Sequence, residues 1–86
     1  MIKLMYLIYG RKTCPFTEGA HKLLMDLDFD VQFIKIQKLN EIPLKHRKKV
    51  RARNHNTVPA VFRPYGRGYK FLGGLKELQQ YLIYEE

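Results

Sequence analysis

Apolar residues recur with two different periods along the first part of the chain. From Ile2 to Tyr9 the sequence is dense in Ile, Leu and Tyr and stops at Gly10, which predicts a strand buried on both faces of a sheet. Pro15 then stands where the first turn of a helix tolerates proline, and apolar residues follow at helical spacing. We therefore expect a helix from about Cys14 to Asp28. Its apolar positions are Ala20, Leu23, Leu24 and Leu27.

The middle of the chain returns to an extended pattern and then to a weaker helical one. β-branched and aromatic residues between Val31 and Ile36 predict a second strand, and the order strand, helix, strand favours a right-handed parallel crossover. Pro43 can open a second helix that runs to about Asn54, although the apolar face of this helix is thin. The main candidates for that face are Leu39, Ile42 and Val50.

Two short extended runs flank a glycine-rich turn in the last part of the chain. Residues Ala60 to Arg63 and Tyr69 to Leu72 lie on either side of residues 64–68, a pattern that predicts an antiparallel hairpin. After a Gly-Gly pair, Leu75, Leu78 and Leu82 predict a last amphipathic helix. The order β-α-β-α-β-β-α predicts one α/β domain over residues 1–86, with a four-stranded mixed sheet flanked by three helices.

Composition narrows the class of protein. The chain has 86 residues, of which 45% are hydrophobic, and this favours a small folded core over disorder. It carries one cysteine, whereas a secreted domain of this size usually has several disulfides. Its apolar start is too short to span a membrane and lacks the cleavage site of a secretory signal. We therefore expect a reducing, cytoplasmic compartment and no membrane partner. We also expect a monomer.

Cys14 stands where the first predicted turn meets the start of a helix. Free backbone N–H groups and the positive end of the helix dipole favour a thiolate at such a position, and Arg11 and Lys12 add positive charge. The pKa of a cysteine in such a setting falls to roughly 3.5–7.5, from about 8.5. The alternative is a buried, inert cysteine, as many free cysteines are. The position favours a nucleophile that reacts at neutral pH.

Three segments resemble the signatures of the glutaredoxin family, in the family's order and at about its spacing. Residues 9–17, Tyr-Gly-Arg-Lys-Thr-Cys-Pro-Phe-Thr, are similar to the family's active-site segment. Thr57-Val58-Pro59 is similar to its Thr-Val-Pro segment, whose proline is cis, and the Gly-Gly pair resembles the third signature. The resemblance covers nearly the whole chain. It implies a thioredoxin-like glutaredoxin fold and a thiol–disulfide oxidoreductase that uses glutathione in cell redox homeostasis.

The resemblance also implies where glutathione binds. The backbone of Val58 would pair with the cysteine part of glutathione, and the amides of Leu75 and Lys76 would hold its γ-glutamyl carboxylate. Glu77 is the nearest match to the family's acidic residue that binds the amino group. Cys14 would be the catalytic nucleophile. The implied glutathione-binding residues are Arg11, Lys12, Phe16, Thr57, Val58, Pro59, Gly74, Leu75, Lys76 and Glu77.

The active-site segment departs from the family at its end, where Thr17 stands at the position of the second cysteine of dithiol glutaredoxins. The expected cycle is therefore monothiol: the Cys14 thiolate attacks the glutathione sulfur of a mixed disulfide, and a second glutathione regenerates it. The alternative resembles the Cys-Gly-Phe-Ser branch of the family, which bridges a 2Fe–2S cluster between two subunits with glutathione. Cys14 would then be a cluster ligand. Pro15 in place of the glycine restricts the loop, which makes this the second choice.

Basic residues are concentrated between Lys45 and Arg53. The chain has a formal net charge of +8 and a pI of about 9.8, which favours anionic partners. Residues 45–53 predict a solvated helix face or, as the alternative, a surface for nucleic acid or an acidic protein. Aromatic residues that could stack on bases are Tyr65, Tyr69 and Phe71. The three histidines have no Cys or His partner at ligand spacing, so we expect no mononuclear zinc site.

Overall fold

The computed structural model describes residues 5–84, which form a four-stranded sheet with three α-helices. The elements are β1 (Tyr6–Gly10), α1 (Pro15–Asp26), β2 (Val31–Lys35), a 3-10 helix (Leu39–Glu41), α2 (Leu44–Ala52), β3 (Ala60–Tyr65), β4 (Gly68–Gly73) and α3 (Leu75–Tyr84). The strand order is β2-β1-β3-β4, in which β1 and β2 are parallel and the other neighbours are antiparallel. The predicted fold class is confirmed. No helix within residues 5–84 is long and apolar enough to cross a membrane.

The first two helices, α1 and α2, are both shorter than predicted. Cys14 is the N-cap of α1 and not its first residue, and Asp28 adopts a left-handed φ of 63° beyond the end of the helix. Pro43 is the N-cap of α2, and Asn54 takes a φ of 54° after it. A left-handed residue cannot continue an α-helix, so each one marks a helix end that apolar periodicity does not reveal.

The strands also differ from their predicted bounds. The predicted residues 2–4 of the first strand lie outside the described residues, and β1 begins at Tyr6. The second strand stops one residue before Ile36. In the hairpin, β3 runs on through Pro64, which pairs with Tyr69, so the predicted five-residue turn shrinks to a tight turn around Gly66. The 3-10 helix before α2 was not predicted.

Strand β1 lies inside the sheet, and its side chains alternate between two cores. Tyr6 and Ile8 pack against α1 and α3, whereas Leu7 and Tyr9 pack on the side of α2. All five residues of β1 are buried, as expected for a strand covered on both faces. The first core also contains Ala20, Leu24, Val61, Leu78 and Leu82, and the second contains Ile36, Ile42, Val50, Ala60, Phe62 and Phe71.

The thin apolar face of α2 is completed by a histidine. The predicted Ile42 and Val50 are buried, and the ring of His46 joins them with its centroid 4.7 Å from that of Phe62. His46 Nδ1 is hydrogen-bonded with the Tyr9 hydroxyl at 2.8 Å. Burial, together with the charges of Lys49 and Lys45, lowers the pKa of His46 below its ordinary value. A neutral imidazole therefore anchors this basic helix to the sheet.

A close approach between Gly10 and Thr17 joins the end of β1 to α1. A Cβ placed on Gly10 would lie 2.6 Å from both Cγ2 and Oγ1 of Thr17, which is far inside van der Waals contact. Thr17 is fully buried. Gly10 is therefore required here by the volume of the Thr17 side chain, and the contact holds both ends of the turn that carries Cys14.

We predict that Gly10→Ala destabilises the protein by about 1–3 kcal/mol, because the new methyl group overpacks against Thr17. Adding Thr17→Ala removes both clashing atoms and should restore most of that loss. Urea unfolding of the two single variants and the double variant measures the coupling. Strictly additive effects of the two substitutions would show that this contact is not the cause.

Candidate functional site

Cys14 is held at the start of α1 by its backbone. It takes an extended conformation, with φ of −78° and ψ of 123°, and its carbonyl accepts the first hydrogen bond of the helix from Glu18 N at 2.9 Å. Its own N–H donates to the carbonyl of Arg11 at 3.2 Å, which closes the turn behind it. The side chain is partly exposed. The sulfur therefore sits beside the unpaired N–H groups of the first helical turn.

This position lowers the pKa of Cys14. The backbone N–H of Thr17 is the largest cause, and the Thr17 hydroxyl, the N–H of Phe16 and the charge of Arg11 act in the same direction. Partial burial opposes them but does not outweigh them. All the favourable groups stabilise the thiolate and not the thiol, so Cys14 is prepared as a nucleophile.

The Thr17 hydroxyl is the unusual part of this environment. Thr17 Oγ1 is buried and, within residues 5–84, has no hydrogen-bond partner. Its dipole nevertheless favours the charged form of the neighbouring Cys14 sulfur. A buried hydroxyl without a partner costs about 1–3 kcal/mol, and a thiolate is a stronger acceptor than a thiol. Thr17 therefore supports the thiolate from the position where a second cysteine would stand.

Cys14 opens onto a cleft of about 780 Å³. Its walls come from the turn before α1, the link between β2 and the 3-10 helix, the loop before β3 and the start of α3. The structure brings together the following predicted residues around the cleft: Arg11, Cys14, Phe16, Thr57, Val58, Pro59, Gly74, Leu75, Lys76 and Glu77. Lys12 does not line the cleft and is exposed on the turn beside it. Pro15 and Thr17 adjoin Cys14 without lining the cleft.

The loop before β3 presents backbone to the cleft. The Val58–Pro59 peptide bond is cis, Pro59 is buried, and Val58 is partly buried beside it. His55 Nε2 donates a hydrogen bond to the Pro59 carbonyl at 3.0 Å, and its ring meets the Phe71 ring edge-on with centroids 5.3 Å apart. The same imidazole lies 3.4 Å from a Cβ placed on Gly74. His55 thus links the loop, strand β4 and the Gly-Gly pair.

The start of α3 is capped by Glu77. The N–H of Gly74 donates to Glu77 Oε1 at 2.6 Å, while the Gly74 carbonyl accepts from Leu78 N at 3.0 Å. Gly73 has a φ of 134°, and a Cβ there would lie 2.6 Å from Glu77 Oε1. The glycine pair therefore makes room for this cap. The N–H groups of Leu75 and Lys76 belong to the first helical turn, which has no intrahelical acceptor for them.

The cleft has a positive rim. Arg11, Lys38 and Lys76 line it against the single carboxylate of Glu77, and Arg11 Nε donates to the carbonyl of Gln37 at 3.0 Å. Sequence reasoning missed the following lining residues: Gln37, Lys38, Leu39, His55, Asn56 and Gln79. Of these residues, only His55 and Asn56 could have been found from the sequence, because they directly precede the Thr-Val-Pro segment. The others come from elements whose approach to the cleft depends on the tertiary fold.

The described part of the chain does not form a metal centre by itself. Within residues 5–84, no group of three or more His, Cys, Asp or Glu side chains is close enough to hold a metal ion. Cys14 is the single cysteine of the sequence. An iron–sulfur cluster would therefore need ligands from outside this chain.

Comparison with known proteins places this arrangement in a family. The family model for glutaredoxin matches residues 6–64, which include Cys14, the cis proline loop and most of the sheet. The chain belongs to the glutaredoxin family. Glutaredoxins are thiol–disulfide oxidoreductases with glutathione as co-substrate, so the chain has the fold and the cysteine of that redox role.

Solved glutaredoxins share the fold at low sequence identity. A glutaredoxin from Brucella melitensis is 22% identical, with a TM-score of 0.63. The alignment covers 93% of this chain and 79% of the Brucella protein. A dithiolic glutaredoxin from Trypanosoma brucei brucei is 23% identical, with a TM-score of 0.60. The alignment covers 91% of this chain and 76% of the Trypanosoma protein. A glutaredoxin from Archaeoglobus fulgidus is 24% identical, with a TM-score of 0.53. The alignment covers 94% of this chain and 86% of the Archaeoglobus protein. No curated protein matches the chain.

We predict that Thr17→Val raises the pKa of Cys14, because it removes the hydroxyl while keeping nearly the same volume. Thr17→Ser keeps the hydroxyl and should leave the pKa closer to that of the unchanged protein. Thiolate absorbance in a pH titration, or the pH dependence of alkylation by iodoacetamide, measures the shift. An identical Cys14 pKa in the valine and serine variants would exclude a role for the hydroxyl.

Proposed function

We propose that this glutaredoxin reduces glutathione mixed disulfides in a monothiol cycle. The observation that carries the proposal is Cys14, which has a lowered pKa and opens onto a positively lined cleft, while Thr17 stands where a resolving sulfur would be. Because Cys14 has no second cysteine to form an internal disulfide with, its oxidised form is a mixed disulfide. A thiol from another molecule must then reduce that mixed disulfide. Glutathione, the co-substrate of the family, is the thiol that we propose for this step.

The chemistry of glutathione matches the groups around the cleft. It is a short extended peptide with two carboxylates and one ammonium group, and its net charge is negative. The backbone of Val58 would pair with its cysteine, and the first N–H groups of α3, at Leu75 and Lys76, would receive the γ-glutamyl carboxylate. Arg11 and Lys38 supply positive charge at the cleft, and Glu77, which also lines it, would accept a hydrogen bond from the ammonium group.

The proposed cycle has two exchange steps. The Cys14 thiolate attacks the glutathione sulfur of the mixed disulfide, so that a bond forms between Cys14 and glutathione while the substrate disulfide breaks. The substrate leaves as a thiolate and takes a proton from water. The thiolate of a second glutathione then attacks the bound glutathione sulfur, which releases glutathione disulfide and restores the Cys14 thiolate. The substrate sulfur is reduced to a thiol and one free glutathione is oxidised, so that the two glutathione units leave together as glutathione disulfide.

Related roles fit the site less well. No specific observation favours a bridging 2Fe–2S cluster, and Pro15 replaces the glycine of the cluster-binding branch and restricts the loop. A reducing, cytoplasmic location is part of the proposal, because the cycle needs reduced glutathione and a free thiol.

We predict that Cys14→Ser abolishes turnover of a glutathionylated peptide, because a serine hydroxyl cannot act as the thiolate. Turnover is followed by coupling the glutathione disulfide produced to glutathione reductase. Without free glutathione, mass spectrometry of the unchanged protein should show one glutathione on Cys14. Turnover by Cys14→Ser equal to that of the unchanged protein would remove the proposal.

A second prediction concerns His55, which positions the Val58–Pro59 loop and does not react itself. His55→Leu removes the hydrogen bond to the Pro59 carbonyl, which is worth about 0.5–1.5 kcal/mol, and should raise KM for the glutathionylated peptide about 2–12-fold. The Cys14 pKa and kcat should change little. His55→Gln keeps a donor at a similar reach and should restore KM. A raised Cys14 pKa, or no rescue by glutamine, would contradict this role.

A further inference from the structure

The end of the molecule opposite the cleft is formed by the other ends of the same elements. Tyr6, at the start of β1, pairs with Val31 at the start of β2, and the turn between β3 and β4 lies at this end because β3 is antiparallel to β1. Helices α1 and α3 start at the cleft and finish here. The ring centroid of Phe29, just beyond α1, lies 5.0 Å from that of Tyr6, and Arg63 Cζ lies 5.2 Å from the ring centroid of Tyr81 in α3. We call this the distal end.

Exposed apolar side chains are concentrated at the distal end. Of the eight large apolar side chains that are exposed within residues 5–84, five lie at this end in the layer of α1 and α3: Met25, Leu27, Tyr65, Ile83 and Tyr84. Ile83 is 71% exposed and Tyr84 is 81% exposed. Tyr65 belongs to this layer because side chains alternate along β3, and Val61, four residues earlier, packs against α1 and α3. Single exposed apolar residues are ordinary, whereas a group of them marks an interaction surface.

The α1 side of the distal end is acidic. All three aspartates of the sequence lie between Asp26 and Asp30, at the end of α1 and in the turn to β2. Lys22 lies 3.7 Å from Asp26, but both side chains are exposed, and an exposed pair of this kind contributes little. Asp28 is also exposed. Three carboxylates against one lysine leave this side with a negative charge.

The hairpin side of the distal end is basic. Arg63 and Lys70 are opposite each other on β3 and β4, and both lie against the ring of Tyr65, at 4.9 Å and 5.4 Å from its centroid. Arg67 and Lys70 are exposed. Within residues 5–84, none of these three cations forms an ion pair. Because α1 covers β1 and β2 whereas α3 covers β4, the acidic and basic sides lie on opposite flanks of the apolar group.

We propose that two copies of the chain form a symmetric dimer through the distal patch, which we define as the five apolar side chains with the acidic and basic sides. A two-fold axis normal to the sheet, between the ends of α1 and α3, lays the acidic side of one copy on the basic side of the other. This contact occurs twice, and the apolar side chains of both copies meet between the two. An apolar core with a charged rim is the usual arrangement of a protein interface.

The dimer goes beyond the proposed redox function and does not depend on it. Both clefts lie at the outer ends of the pair, so each Cys14 stays accessible to substrate. The dimer differs from the monomer expected from the sequence, because apolar periodicity does not show that the exposed side chains of α1, β3 and α3 finish at the same end of the molecule.

Other occupants fit the distal patch less well. A membrane surface carries negative charge and would repel the acidic side. A partner protein with one strong charge would match one side of the patch and be repelled by the other. A second copy of the chain presents both charges at the required separation, together with the same apolar group.

Sedimentation velocity from 5 to 500 μM protein, in the presence of a reductant, tests the proposal. We expect a dimer whose fraction rises with concentration and falls as salt is raised from 50 to 500 mM, because salt screens the charged rim. Cys14→Ser should dimerise as the unchanged protein does. This variant excludes a disulfide between two copies and separates the dimer from the redox function.

Two charge variants test whether the acidic and basic sides face each other. The first combines Asp26→Lys with Asp28→Asn, since asparagine also tolerates the left-handed backbone at position 28. The second combines Arg67→Glu with Lys70→Glu. Each variant alone should dimerise at least about tenfold more weakly, because like charges then meet. An equal mixture of the two should form a heterodimer with an affinity within about threefold of that of the unchanged protein, since both contacts are complementary again.

Matched controls locate the interface. Lys45→Glu with Lys48→Glu makes the same charge change on α2 as the second variant makes on the hairpin, and should change the dimer affinity less than about twofold. Ile83→Gln should weaken the dimer at least about fivefold, because it removes apolar area from the centre of the patch. Leu44→Gln changes an exposed apolar residue on α2 and should have little effect.

Three outcomes would overturn the proposal. The first is a monomer at every concentration, and the second is a dimer that the hairpin and α2 charge variants weaken equally. The third is a mixture of the two distal variants that stays monomeric although each variant is folded by circular dichroism.

Discussion

The site depends on the close packing of Gly10 against Thr17. This contact joins the end of a fully buried strand to the first turn of α1, and Cys14 lies between the two points that it fixes. The sulfur can therefore stay beside the helix N-terminus without being covered by its own helix. A larger residue at position 10 would push the first turn away, and the N–H groups that favour the thiolate would move with it.

The rest of the cleft is built from chain segments that the sheet brings to the same place. The loop that precedes β3 and the turn that follows β4 approach each other because the two strands are antiparallel neighbours. His55 closes the remaining gap between them through Pro59 and Phe71. The strands thus determine where the backbone groups of the cleft lie, and the imidazole of His55 holds the irregular loop before β3.

The sequence predicted the elements well where their periodicity was strong and predicted the site through three short signatures. Strand β1 and helix α1 were found because their apolar residues repeat over several turns or along the whole strand. The ends of α1 and α2 were missed because Asp28 and Asn54 adopt left-handed conformations that composition alone does not reveal. His46 was missed because a histidine completes a core only when burial and a hydroxyl partner keep it neutral. Gln37 and Lys38 were missed because their place in the cleft depends on how the chain turns after β2.

Lys49 and Arg53 have a structural role besides their charge, because both donate hydrogen bonds to β4. β4 is at the edge of the sheet, and an open edge is a template on which another chain can add a strand. The two cationic side chains donate hydrogen bonds to carbonyls of that strand at Tyr69, Phe71 and Leu72. Replacing them with neutral residues would do more than change the isoelectric point, because it would leave the strand open to self-association. Part of the basic character of this glutaredoxin is therefore used to cover an edge of its own sheet.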